Sequence, residues 1–126
     1  MPRSHAAAWR ACERPCDDLV RRRVSRWITI RRMTIESLRA LDPADALYAT
    51  RFVDQVLAAA VRAAASDVHW QPTAAGIELA WRLDGVLHPL GVFPAGVATN
   101  VIARLKVLAE LLTYRTETPQ EGRIRP

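Results

Sequence analysis

Cysteine, histidine and long apolar runs are scarce in this chain of 126 residues. The two cysteines, Cys12 and Cys16, have only His5 near them, so a tetrahedral zinc site would be short of ligands and no metal site is expected. Prolines and glycines interrupt the uncharged residues 85–103, which excludes a membrane-spanning helix there. The apolar run after Arg3 is too short for a secretory signal, so we expect a cytoplasmic location.

Lysine and glycine are also scarce, and their positions exclude one common phosphate site. Of the 18 basic residues only Lys106 is a lysine, and it follows Leu105. A phosphate loop of the form G-x-x-x-x-G-K-[ST] needs a glycine directly before a lysine, and none of the five glycines is so placed. We therefore expect that this chain alone neither hydrolyses nucleotides nor binds a cofactor.

Positive charge is concentrated at the start of the sequence. Residues 1–33 contain nine arginines and three acidic residues, a balance of +6, whereas residues 34–126 contain nine basic and ten acidic residues, a balance of −1. The first stretch has no clear hydrophobic period, so we expect a basic arm that is disordered or marginally helical. It could bind single-stranded nucleic acid, lie on an anionic membrane, or be an extension upstream of a natural start at Met33. We prefer the last interpretation, because orderly patterning begins at Met33.

Two stretches of the remaining sequence have the spacing of amphipathic helices. Asp42-Pro43 is a candidate helix start and Thr50 a possible restart, and apolar residues recur at spacings of three and four from Val53 to Ala64. The same spacing returns from Val97 to Leu112. Each pattern predicts a helix with one face packed on a core.

Alternating apolar residues between these helices predict a small antiparallel sheet. The alternation covers residues 66–70, 77–83 and 86–92, and Asp84-Gly85 is a strong signal for a hairpin between the last two strands. A further strand is expected to start at Arg123. The predicted fold is α+β, with helices on one side of the sheet.

Four segments resemble parts of the ATPases of type II secretion and type IV pilus assembly, in the same order and with similar gaps. The segments are Ser66-Asp67-Val68-His69, Arg82-Leu83-Asp84-Gly85-Val86-Leu87, Arg104-Leu105-Lys106-Val107-Leu108-Ala109 and Pro119-Gln120-Glu121-Gly122-Arg123-Ile124. The resemblance covers roughly residues 48 to 126 and none of the basic arm. It implies a PAS-like domain that precedes the ATPase core in a hexameric ring.

The resemblance also implies a role for one arginine. In the family, the arginine that matches Arg123 approaches the phosphates of ATP, and ATP and magnesium are the cofactors of the full-length proteins. The partners implied are an ATPase core domain, neighbouring subunits, and platform proteins of the inner membrane, where the chain would be peripheral; nucleic acid is not among them. Glu117 stands where many members have arginine, so a second basic contact to the nucleotide is not expected there.

Asp67, His69 and Arg82 are predicted to form a structural polar cluster on the sheet face opposite Val68 and Trp81. A catalytic role for His69 is disfavoured because no serine or cysteine nucleophile is placed to complete a triad. Residues 34–126 are interpreted as an incomplete α+β domain, cut short near Arg123. The alternative is a stand-alone α+β binding module whose arginine-rich arm contacts nucleic acid or an anionic surface.

Overall fold

The computed structural model describes the backbone of residues 13–125. It contains three α-helices, a three-stranded antiparallel sheet and one short 3-10 turn, which confirms the predicted α+β class. The elements are α1 (Glu13–Arg39), α2 (Tyr48–Arg62), β1 (Asp67–Thr73), β2 (Gly76–Leu83), β3 (Val86–Pro94), the 3-10 turn (Ala95–Val97) and α3 (Ala98–Leu108). No helix among these described residues is long and apolar enough to span a bilayer.

The sheet has the order β1-β2-β3, so that β2 is central. The hairpin between β2 and β3 turns at Asp84 and Gly85, whose φ angles are 49° and 81°. Positive φ at both central positions is the geometry of a type I′ turn, which matches the right-handed twist of the strands. The hairpin predicted from the Asp-Gly pair is confirmed.

β3 contains a bulge next to its internal proline. Leu79 pairs with Gly91 and Ala80 pairs with Pro89, which leaves Leu90 without a partner on β2. Leu90 is nevertheless 3% exposed, because the bulge turns its side chain into the core. A proline is tolerated at this point because β3 is an edge strand.

The core lies on one face of the sheet and all three helices contribute to it. Trp81 of β2, Phe52 of α2 and Val101 of α3 are at most 1% exposed. Phe52 meets the ring of Phe93 edge-on with 5.0 Å between ring centroids, an arrangement that aromatic pairs prefer. Helices therefore cover one side of the sheet, as the patterning predicted.

α1 is where the structure differs from the expected disordered or marginally helical arm. One helix runs from Glu13 to Arg39, straight through Met33, and Leu38 in its last turns is 1% exposed. The ring of Trp27 contacts that of His88 of β3, with 4.6 Å between ring centroids and a tilt of 52° between the ring planes. Arg31 donates to the carbonyl of Pro89 from Nη2 at 2.8 Å. The placing of a domain boundary after residue 33 stays a prediction, and Cys12 and His5 lie outside the described residues.

Three boundaries also differ from those predicted. Asp42 closes a turn by accepting the Ala44 N–H at 2.9 Å, and α2 begins at Tyr48, two residues before the possible restart at Thr50. α3 ends at Leu108 and not at Leu112. Within the described part of the chain, residues 109–125 form no strand, so the further strand expected at Arg123 is not formed there.

The end of α2 allows a test of local strain. Ala64 follows the helix with φ of 56°, and its N–H and that of Ala65 close the last turn in the pattern of a Schellman motif. A left-handed conformation costs a non-glycine residue about 1 kcal/mol. We expect Ala64→Gly to raise the free energy of unfolding by about 1 kcal/mol in urea denaturation, because glycine has no such cost. Ala58→Gly, on the exposed side of α2, should lower it by a similar amount.

Candidate functional site

The segment that follows α3 folds back on the end of that helix. Glu110 adopts φ of 58°, and the Leu111 N–H reaches back to the carbonyl of Lys106 at 2.8 Å. This six-residue closure is the Schellman motif, which ends a helix and reverses the chain. Residues 111–125 therefore run beside α3 and do not continue it. We call residues 119–125 the Arg123 segment.

Gln120 attaches the Arg123 segment to the chain after α3. Its Oε1 accepts the Leu112 N–H at 2.9 Å, and its Nε2 donates to the carbonyl of Leu112 at 3.0 Å and to that of Arg115 at 2.8 Å. The side-chain amide thus satisfies both backbone groups of Leu112, as a neighbouring strand would. Lys106 Nζ donates to the carbonyl of Arg115 at 2.6 Å, which adds a charge-assisted bond from α3.

Gly122 lies against the backbone at the end of α3. A Cβ atom at this position would be 2.4 Å from the carbonyl oxygen of Ala109 and 2.7 Å from Cδ2 of Leu111. The side chain of Leu111 could rotate away, but the approach to the carbonyl oxygen is not possible for a carbon atom without movement of the backbone. The glycine is therefore required by close packing.

Arg123 follows directly and its side chain is exposed. Within residues 13–125 its guanidinium has no hydrogen bond or ion pair, and the same is true of Arg125. The backbone on its N-terminal side is fixed by Gln120 and Gly122, while the guanidinium is open to an external acceptor. Such a group suits planar, bidentate contact with phosphate or carboxylate oxygens.

Arg104, which begins the third of the four segments, links α3 to α2. Its Nη2 lies 3.6 Å from Oδ1 of Asp54. Its Nε is shielded from solvent and has no acceptor among the described residues. Arg104 thus contacts α2, and Lys106 bonds to the chain after α3.

Two members of the predicted polar cluster meet on the open face of the sheet. Asp67 and Arg82 are paired across β1 and β2, with Oδ2 of Asp67 3.4 Å from Nε of Arg82. Ser66 Oγ donates to the same carboxylate at 2.8 Å, and Arg82 Nη1 donates to the carbonyl of Gly85 at 3.2 Å. His69 lies on this face but opposite Ala80, without a hydrogen bond or ion pair in the described part of the chain. A structural role for the three together stays a prediction.

The remaining titratable groups do not add a reactive centre to this site. Burial raises the pKa of the Tyr48 hydroxyl above its ordinary value of 10.0, but Tyr48 belongs to the hydrophobic core. Glu117 is exposed in the chain between α3 and the Arg123 segment. No group of three or more histidine, cysteine, aspartate or glutamate residues is close enough to hold a metal ion among residues 13–125.

Comparison with known proteins identifies the family. The sequence profile of the type II/IV secretion system protein family matches residues 42–125, which include α2, the sheet, α3 and the Arg123 segment. The chain belongs to this family. Residues 13–41, which include all of α1, lie outside the match.

Individual relatives agree with the family match. The chain is 37% identical over 82 residues to the type IV pilus assembly ATPase PilB of Pseudomonas aeruginosa, which is 65% of this chain and 14% of the relative. It is 38% identical over 90 residues to the type II secretion system protein E of Xanthomonas campestris, 71% of this chain and 16% of the relative. The PilB of Acinetobacter baylyi is 33% identical over 75 residues, 60% of this chain and 13% of the relative. The chain thus spans less than a fifth of the length of each of these relatives.

Sequence reasoning named Arg123 but missed the residues that fix its backbone. Gln120 and Gly122 were visible only as members of the Pro-Gln-Glu-Gly-Arg segment, without a role. Both residues contact backbone groups, those of Leu112 and Ala109. Every residue type has these groups, so such contacts cannot be recognised from the sequence of the residues contacted. The signal was the combination of glutamine and glycine just before an arginine.

Proposed function

We propose that this chain supplies the arginine-bearing module of a motor ATPase of type II secretion or type IV pilus assembly. In this proposal Arg123 contacts the phosphates of ATP that is bound by an ATPase core, either a further domain or a neighbouring subunit of a hexameric ring. The module works at the cytoplasmic face of the inner membrane, beside platform proteins of the secretion or pilus apparatus.

The observation that carries the proposal is the contrast between the fixed backbone and the free guanidinium of the Arg123 segment. Gln120 and Gly122 tie the segment to the end of α3. Arg123 itself has no protein partner within residues 13–125. An arginine held in this way loses little conformational entropy when a phosphate arrives, because its backbone is already ordered.

The chemistry expected of such an arginine is electrostatic. Negative charge is spread over the oxygens of the phosphoryl group during transfer, and a guanidinium fork placed beside them stabilises that charge. This role needs neither a nucleophile nor a general base. It therefore suits a chain in which no glycine precedes a lysine and no phosphate loop is formed.

Two results are expected for ATP hydrolysis. The isolated chain should release no phosphate from ATP above a blank without protein. In contrast, residues 42–125 should support hydrolysis when they replace the matching segment of the Pseudomonas aeruginosa PilB. We expect the kcat of this chimera to stay within about tenfold of that of the parent ATPase.

A chimera that folds and assembles like the parent but hydrolyses no ATP would contradict the proposal and favour the stand-alone binding module. Phosphate release by the isolated chain that grows linearly with protein concentration would contradict it as well. Size-exclusion chromatography and circular dichroism of the chimera separate a failure to fold from a failure to function.

A further inference from the structure

A cleft of about 430 Å³ lies between α1, the end of α2 and the β2–β3 hairpin. Its charged and titratable lining consists of Arg23, Arg26, Arg62, Asp84 and His88. None of these residues belongs to the Arg123 segment. Arg23 and Arg26 precede the part of the chain that matches the family, so the cleft depends on residues outside that match.

The charge of the cleft is positive and mostly uncompensated. Three guanidinium groups face one carboxylate, which leaves a formal charge of +2 when the histidine is neutral. The carboxylate of Asp84 lies 3.6 Å from Arg23, but the two side chains are 80% and 76% exposed, so their attraction is weak. Arg26 and Arg62 have no hydrogen bond or ion pair in the described part of the chain.

Apart from Asp84 and His88, the side chains beside the arginines are aliphatic or belong to Trp27. Trp27 lines the cleft, and its Nε1 is shielded from solvent and has no acceptor among the described residues. The end of α2 would place negative carbonyl dipoles there. The carbonyls of Ala59, Ala60 and Val61 each accept an N–H of the closing turn. The helix end carries only about half a negative charge, which the three arginines of the cleft outweigh.

We infer that this cleft binds a phosphate group. Arginine forks match the oxygens of phosphate in pairs, and a cleft with several donors and one exposed carboxylate favours a ligand that only accepts hydrogen bonds. The phosphate has two possible sources with the same chemistry, a free phosphate ion and the headgroup of an anionic phospholipid. The inference does not depend on the role of Arg123.

Two double variants of the full chain, one in the cleft and one control, test the inference. Each loses two positive charges. Arg26→Gln with Arg62→Gln removes the two unpaired arginines of the cleft. Arg22→Gln with Arg32→Gln removes two arginines of α1 that do not line it and that pair with acidic residues four positions away. Both double variants should keep the circular dichroism spectrum of the parent chain, because all four side chains are exposed.

Binding is measured by calorimetric titration with inorganic phosphate and by co-sedimentation with vesicles of phosphatidylglycerol or of phosphatidylcholine. We expect the cleft variant to weaken binding at least about tenfold and the control variant less than about twofold. If inorganic phosphate binds saturably and the cleft variant loses more affinity than the control, the ligand is a free phosphate ion. If only phosphatidylglycerol vesicles bind, and the cleft variant again loses more affinity than the control, the ligand is a lipid headgroup. Equal weakening in both variants, or no binding of either probe, would overturn the inference.

Discussion

Replacing Arg123 by alanine in the PilB chimera is expected to lower kcat about a thousandfold and to change KM for ATP by less than about threefold. The reason is that the guanidinium is proposed to act on charge that develops in the transition state, and not on the bound ATP as such. An interaction made only in the transition state is lost from kcat. The measurement is steady-state phosphate release over a range of ATP concentrations.

Arg125 provides the matched control, because it is also exposed, lies two residues further on and has no partner within residues 13–125. Arg125→Ala removes the same charge from the same segment and should change kcat less than about twofold. Arg123→Lys should recover only part of the lost rate, since an ammonium group keeps the charge but not the planar fork. Equal losses in Arg123→Ala and Arg125→Ala would show that the segment contributes only general positive charge.

The strands were predictable because the local conformational preference of their residues agrees with their packing on the core. Val68 and Trp81 alternate with polar neighbours along their strands, and the structure pairs them on the core side of the sheet. The Asp84-Gly85 pair has the backbone preference that its turn requires. Where local preference and packing agree in this way, one sequence is sufficient for a correct prediction.

α1 was not predictable for the opposite reason. Its buried side begins only at Trp27, and the preceding apolar residues Val20 and Val24 remain 58% and 49% exposed. Arginines interrupt the hydrophobic pattern, and the interpretation of Met33 as a start separated the last two turns of the helix from the rest. The contacts of Trp27 and Arg31 with β3 involve residues about sixty positions away, which no local pattern reports.

The Arg123 segment shows a third case, in which the residue was predicted and its surroundings were not. A strand at Arg123 would need a neighbouring strand to pair with its backbone. In the structure, Leu112 is paired by the side chain of Gln120, so its backbone groups are satisfied without a strand. Pairing of backbone by a side chain depends on three-dimensional placement, and sequence periodicity contains no information about it.

Replacing Gly122 by alanine is expected to lower the kcat of the chimera about a hundredfold although Arg123 is still present. The new Cβ would lie 2.4 Å from the carbonyl oxygen of Ala109, so the segment must move away from α3. A displacement of about 1 Å at a group that acts on the reacting phosphate costs about this factor. Gly96→Ala is the control, because no atom lies within 4 Å of its added Cβ, and it should change kcat less than about twofold.

The combination of Gly122→Ala with Arg123→Ala separates positioning from general damage. If Gly122 acts through the placement of the guanidinium, its substitution should cost less than about twofold once the guanidinium is gone, because the two changes remove the same interaction. If the clash instead disturbs the domain as a whole, the two losses should multiply. Gln120→Ala should behave in the same non-additive way, since it releases the segment from Leu112 without introducing a clash. Agreement between a steric and a hydrogen-bonding variant would therefore assign Gln120 and Gly122 as positioning residues for Arg123.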